Sequence, residues 1–113
     1  MAKSKKRPTK HPESPKETGK RLRRLRLLHS LRSGMLAKRL HMLPATYSNY
    51  ETGLSKPSIA NALKLVEFFD VTLDYIYRGE LGGVPYEMAT RIETINLIME
   101  SGSSPTQLST KKM

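Results

Sequence analysis

The sequence predicts an all-α fold, and three observations carry that prediction. Apolar residues recur at helical spacing in separate runs, such as Leu22, Leu25 and Leu28, then Leu36, Ala37 and Leu40, then Met88, Ile92, Ile95 and Met99. Residues suited to helix ends punctuate those runs: Pro44, Gly53, Pro57, Gly79 and Pro85. Residues 31–53 read as two short helices joined by a tight connection.

The elements follow in order. Residues 1–18 hold three prolines and six Lys or Arg, with Met1 and Ala2 as their only apolar side chains. Such a stretch buries too little surface to offset its ordering entropy, so a disordered basic arm is expected. Thr18 or Gly19 opens a first helix through Ser30, with the three leucines inward and Lys20, Arg21, Arg23 and Arg24 outward. Ser33 caps a second helix that runs to His41. Pro44 starts a third, where its missing N–H costs nothing, and Gly53 ends it at a position suited to a left-handed cap. Tyr47 and Tyr50 share one face of that helix, which leaves Ala45, Thr46, Ser48 and Asn49 pointing elsewhere. Residues 54–57 form a loop. A fourth helix spans 58–69, with Ile59, Leu63 and Val66 expected inward and Leu65 and Phe69 as further core candidates. A short fifth helix over 71–77 closes at Gly79. Residues 80–84 read as a Gly-rich linker, 85–100 as a last helix and 101–113 as a disordered polar tail. The expected domain is therefore 19–79.

Charge narrows the partner. The chain has 20 Lys and Arg against 10 Asp and Glu, a net +10, and residues 1–41 hold fourteen of the bases but two of the acids. Charge concentrated at one end calls for a polyanion, nucleic acid first and an anionic membrane surface second. With 37% hydrophobic residues, 6% aromatic and no Trp, the core must be small and aliphatic. The absence of cysteine excludes disulfides and thiolate metal sites. No apolar run approaches the ~20 residues that span a bilayer, and the N-terminus lacks the apolar stretch of a secretory signal. A cytoplasmic protein is expected. Catalysis finds no foothold: His11, His29 and His41 are scattered, no H-E-x-x-H occurs, and Gly82-Gly83 lacks the rest of a phosphate loop. Neither an enzyme, a cofactor nor a metal site is expected.

Several stations in register resemble one known family. They are Gly19-Lys-Arg-Leu22-x-x-Leu25-Arg26, Leu36-Ala37, Tyr47-x-x-Tyr50-Glu51-x-Gly53, Pro57-Ser58, and Phe69-x-Val71-Thr72-Leu73-Asp74-Tyr75-x-x-x-Gly79. Residues 19–79 resemble the five-helix DNA-binding domain of the phage repressor/Cro-type (XRE) helix-turn-helix proteins. Departures from the family pattern are Ser33 where Gln is frequent, His41 where the turn commonly has Gly, and Leu43-Pro44-Ala45 where polar or basic residues lead the recognition helix. The resemblance implies a compact repressor-like domain, here with an additional C-terminal helix, that occupies double-stranded DNA as a transcriptional repressor or autoregulator.

Site residues follow from that expectation. Ala45, Thr46, Ser48 and Asn49 are the base-reading candidates on helix 44–52. Asn presents a donor and an acceptor to adenine, and Ala45 or the Thr46 methyl suits a thymine methyl. Ser33, Lys38, Arg39, Ser55 and Lys56 are expected at the phosphates, with Lys20 and Arg21 beside them. Lys3, Lys5, Lys6, Arg7 and Lys10 form the basic arm. The resemblance makes Arg26 and Glu51 a structural ion pair. Met88, Ile92, Ile95 and Met99 form a stripe that either folds back on the domain or, as the preferred reading, pairs with a second copy to give a homodimer. A toxin would be a further partner if the chain acts as an antitoxin. The rival reading is an RNA-binding or ribosome-associated basic adaptor without operator specificity.

Overall fold

The computed structural model describes residues 14–102. The basic arm Lys3, Lys5, Lys6, Arg7 and Lys10, and the tail beyond Gly102, lie outside them. Among the described residues the chain forms α1 (Pro15–Leu28), α2 (Ser33–Arg39), α3 (Pro44–Thr52), α4 (Ile59–Phe69), α5 (Leu73–Arg78) and α6 (Tyr86–Glu100).

α1 begins earlier than the sequence reading placed it. Ser14 is its extended N-cap, Pro15 sits at the first helical position and Glu17 lies in the first turn, where the helix dipole favours an acid. Residues 15–18 thus belong to the helix rather than to the arm. Tertiary packing accounts for the extra turn, because Thr18 and Gly19 are fully buried. A Cβ on Gly19 would collide with the carbonyl oxygens of Glu51 and Tyr50, the latter at 2.6 Å. Only glycine lets α1 approach the end of α3 so closely.

The core is not the purely aliphatic one expected: Tyr47 and Phe69 are fully buried in it beside the leucines. Leu22 and Leu25 of α1, Leu36 and Ala37 of α2, Tyr47 and Tyr50 of α3, Leu65 and Phe69 of α4, and Tyr75 and Ile76 of α5 form one buried cluster. α1 is the central element and packs on α3, α5 and α6. α4 is rotated relative to expectation. Ala62, Leu65 and Phe69 are buried, whereas Ile59 and Leu63 are exposed and Val66 is only partly covered. The helix carries apolar residues on two overlapping faces, so periodicity alone does not choose the inward one.

The second correction concerns α6. Val84, Met88 and Ile92 join the cluster of the same chain, and Ile95 is 1% exposed. The stripe therefore folds back on α1, and Met88, Ile92 and Ile95 are unavailable to a second copy; Met99 is half-buried. Two hydrogen bonds fix the packing: Arg24 Nη1 donates to Asn96 Oδ1 at 2.8 Å, and Arg91 Nη2 to the Leu28 carbonyl at 3.1 Å. Burying three large apolar side chains against a neighbour already in place stabilises by several kcal/mol, at roughly 1.5–3 each. Residues 80–84 do not act as a free linker, since Val84 is buried and Leu81 packs against the core.

Candidate nucleic-acid interface

The connection between α2 and α3 is built from backbone geometry. Leu40 ends α2, and His41 then takes a left-handed conformation, φ 58°. The N–H of Met42 donates to the Ala37 carbonyl at 2.8 Å and that of His41 to Lys38 at 3.1 Å. These two bonds satisfy carbonyls at the helix end in the manner of a Schellman cap. A non-glycine residue held there carries strain of order 1 kcal/mol, so the chain keeps the turn despite lacking the glycine that suits it. Met42 and Tyr47, both buried, occupy the two positions of a hydrophobic staple around the start of α3.

α3 is anchored from behind. Tyr47 and Tyr50 are buried on its inner side. Tyr50 Oη accepts from Asn61 Nδ2 of α4 at 2.8 Å, and Tyr47 Oη donates to Glu51 Oε2 at 2.5 Å. Glu51 also receives both arms of a guanidinium fork, Arg26 Nε at 2.6 Å and Nη2 at 2.9 Å, while Arg26 Nη1 donates to the Leu31 carbonyl at 2.8 Å. The two side chains are 14% and 10% exposed, so water screens the pair little. The hydrogen bonds that Arg26 donates to Glu51, together with the carboxylate's charge, raise the Arg26 pKa further although burial opposes it. Burial, reinforced by the same carboxylate, pushes the Tyr47 phenol well above its ordinary range. Both groups hold one protonation state throughout the physiological range.

The end of α3 is equally determined. Gly53 adopts φ 84°, and Leu54 and Ser55 N–H groups both donate to the Asn49 carbonyl, at 2.9 and 3.3 Å. Tyr77 Oη donates to the Pro57 carbonyl at 2.8 Å and ties the following loop to α5.

What this scaffold leaves outward is the candidate surface. Ala45 and Ser48 are exposed, and Thr46 and Asn49 are half-buried. The Asn49 amide makes no hydrogen bond among the described residues, so its donor and acceptor are available to a base edge. Leu43, which sequence reasoning did not count as a site residue, is the α3 N-cap, accepts no capping hydrogen bond and is 72% exposed. Ser, Thr, Asp or Asn there would stabilise the helix by about 1 kcal/mol more.

The cations divide into two groups. Arg32, Lys38, Arg39 and Lys56 are exposed, as is the uncharged Ser55. Arg39 lies with its guanidinium 5.9 Å from the Phe68 ring centroid. Ser33 is half-buried at the first position of α2, whose N-cap is Arg32 rather than Ser33. Between residues 31 and 56 the one carboxylate is Glu51, and it is turned inward onto Arg26. The α1 cations are employed differently. Arg21 Nε donates to the Ile76 carbonyl at 3.3 Å with its guanidinium 6.0 Å from the Tyr75 ring centroid, Lys20 approaches Glu17 at 3.6 Å, and Arg24 holds Asn96. Arg21 thus ties α1 to α5, and the basic face of α1 is largely engaged within the fold. No group of His, Cys, Asp and Glu suited to a metal occurs among the described residues, and no helix there is long and apolar enough to cross a membrane.

Comparison with known proteins agrees with this geometry. Residues 22–76 match the family model described as helix-turn-helix. The chain is similar to an uncharacterized HTH-type transcriptional regulator, YobD, of Bacillus subtilis (strain 168), with 36% identity over 56 residues. That alignment covers 50% of this chain and 50% of the relative, so the likeness extends over about half of each. No solved structure matches the chain at a significant level.

Proposed function

Because residues 22–76 form a helix-turn-helix domain of the phage repressor/Cro-type (XRE) family, we propose that this protein is a sequence-specific, double-stranded DNA-binding transcriptional regulator, acting in the cytoplasm as a repressor or autoregulator. One observation carries the reading. α3 is fixed from its inner side by Tyr47, Tyr50 and the Arg26–Glu51 pair, while its outer side offers small uncharged groups in a segment whose exposed charges are all positive. A helix so presented enters the major groove. Asn49 and Ser48 meet base edges by hydrogen bonds, Ala45 and the Thr46 methyl make apolar contact, and Lys38, Arg39, Ser55 and Lys56 hold the backbone.

Occupying a two-fold site requires two such helices about one DNA turn apart, ~34 Å. The α6 stripe is buried in each chain, so the joint between copies falls to apolar side chains left in water, for which Leu54, Ile59 and Leu63 are 75%, 58% and 49% exposed. Sedimentation of Leu63→Glu against the wild type tests that assignment.

The experiment for the reading itself selects preferred duplexes from a random pool and measures binding to them, to random DNA and to structured RNA. Asn49→Ala should weaken binding to the preferred duplex by ~1–3 kcal/mol and to random DNA much less. Equal losses on both would remove Asn49 from base reading, and tighter binding to RNA would replace the reading with that of an RNA adaptor.

A further inference from the structure

We propose that Leu43 is a specificity residue that covers a thymine methyl group in the major groove, so that the preferred site carries thymine at a fixed position in each half. The inference rests on the DNA-binding reading above and adds to it a residue and a chemistry.

A local preference goes unmet at the start of α3. Of its six described helices this chain caps two with a side chain, Ser58 Oγ accepting from Asn61 N at 3.1 Å to start α4 and Thr72 Oγ1 from Tyr75 N at 3.0 Å to start α5, whereas α1, α2 and α6 open without such a bond. At the start of α3 it places a leucine, which cannot accept the N–H it faces. Burial does not explain the choice, because the neighbouring Met42 is 7% exposed and fills the core while Leu43 is 72% exposed. A large apolar side chain that neither caps nor packs is a cost to the free protein, and such inconsistencies concentrate where a surface serves a partner.

The surroundings select the partner. Leu43 precedes Pro44 and Ala45, both exposed, so the leading end of the recognition helix is apolar. The exposed charged residues of the same helix-turn-helix segment and its following loop are Arg32, Lys38, Arg39 and Lys56. Apolar tip and cationic flanks together suit a polyanion that displays an apolar group between its charges. In the major groove that group is the C5 methyl of thymine, which no other standard DNA base carries.

The test uses the full-length protein and its selected duplex. Each thymine is replaced singly by deoxyuridine, which removes only the methyl. The wild type should lose about fourfold in affinity at one position per half-site, the effect of burying one methyl group. Leu43→Ala should bind the thymine and deoxyuridine duplexes alike, and Leu43→Asn should do the same while melting at a higher temperature, because Asn supplies the missing cap. If Leu43→Ala discriminates as well as the wild type, the methyl is read by Ala45 or Thr46 and the proposal falls. If no thymine is sensitive although the selected duplex still outcompetes random DNA, the proposal falls and the DNA-binding reading stands. If no duplex outcompetes random DNA, both fall.

Discussion

Removing one partner of the Arg26–Glu51 pair should cost far more than a surface ion pair would, and the excess should appear as coupling between the two residues. Exposed pairs contribute 0–1 kcal/mol, whereas breaking a buried one costs ~3–5 kcal/mol because a charge is left without its counter-charge. At 14% and 10% exposure, with two guanidinium–carboxylate bonds, a third bond to Leu31 and a phenol on the carboxylate, this pair lies near the buried limit. We expect Arg26→Met and Glu51→Gln each to lower stability by about 2–4 kcal/mol. The double variant should cost about 2 kcal/mol less than the sum, since neither residue is then left as an orphan. Against a total of roughly 5–15 kcal/mol for a domain of this kind, a single substitution removes a substantial share. Urea unfolding of the four proteins measures the cycle, with an unchanged m-value showing that the unfolded reference is the same. A coupling energy below ~0.5 kcal/mol would mean that water screens the pair as it screens surface charges, and would refute its role as the tie between α1 and α3.

Other perturbations probe separate parts of the argument. Ile92→Ala should lower stability by about 2–5 kcal/mol through the cavity it leaves, and Ile92→Glu with Ile95→Glu should abolish the helical circular dichroism of the whole domain; a folded double variant would detach α6 from the core. His41→Gly should raise the urea midpoint by the equivalent of roughly 0.5 kcal/mol, the relief of left-handed strain less the added freedom of the unfolded chain, and a fall would show that the imidazole contributes to the turn. Tyr75 is buried and its phenol is pushed up to about 12, from about 10 in an unfolded chain. Its contribution is therefore complete below pH 10 and lost as pH rises to about 12, because the unfolded phenol ionises first; urea midpoints should drop across that window, with a shallower drop in Tyr75→Phe. Since the Tyr75 hydroxyl has no hydrogen-bond partner among the described residues, the same Phe variant should be no less stable than the wild type at neutral pH.

The legible parts of this protein were those written in local signals. Pro44 at a helix start, the Tyr47–Tyr50 spacing and Gly53 at a left-handed cap are nearest-neighbour chemistry, and α3 runs between them as read. The inward face of α4 was not legible because Ile59, Ala62, Leu63, Leu65, Val66, Phe68 and Phe69 surround much of the helix with apolar groups, and only the neighbouring elements choose among them. The α6 stripe posed a different ambiguity: a face that meets its own domain and a face that meets a second chain have the same sequence pattern, and here α1 covers it. Arginine reach hid the work of α1, since Arg21 and Arg24 extend from a face that a helical wheel paints as solvent to Ile76 and Asn96. Leu43 carries its signal in the sequence as an apolar residue where an N-cap favours a polar one.

The division of labour along α3 has an evolutionary consequence. On the proposed reading, side chains that hold the helix and side chains that meet its target are different residues, interleaved from Leu43 to Thr52. Tyr47, Tyr50 and Glu51 make the internal hydrogen bonds, whereas Leu43, Ala45, Ser48 and Thr52 point out and none bonds to another element. On that reading, substitutions on the outer set change what is recognised at little cost to folding, so binding preference can drift through many intermediates that all remain folded. An architecture of this kind separates the selection that keeps a protein alive from the selection that tells it where to go.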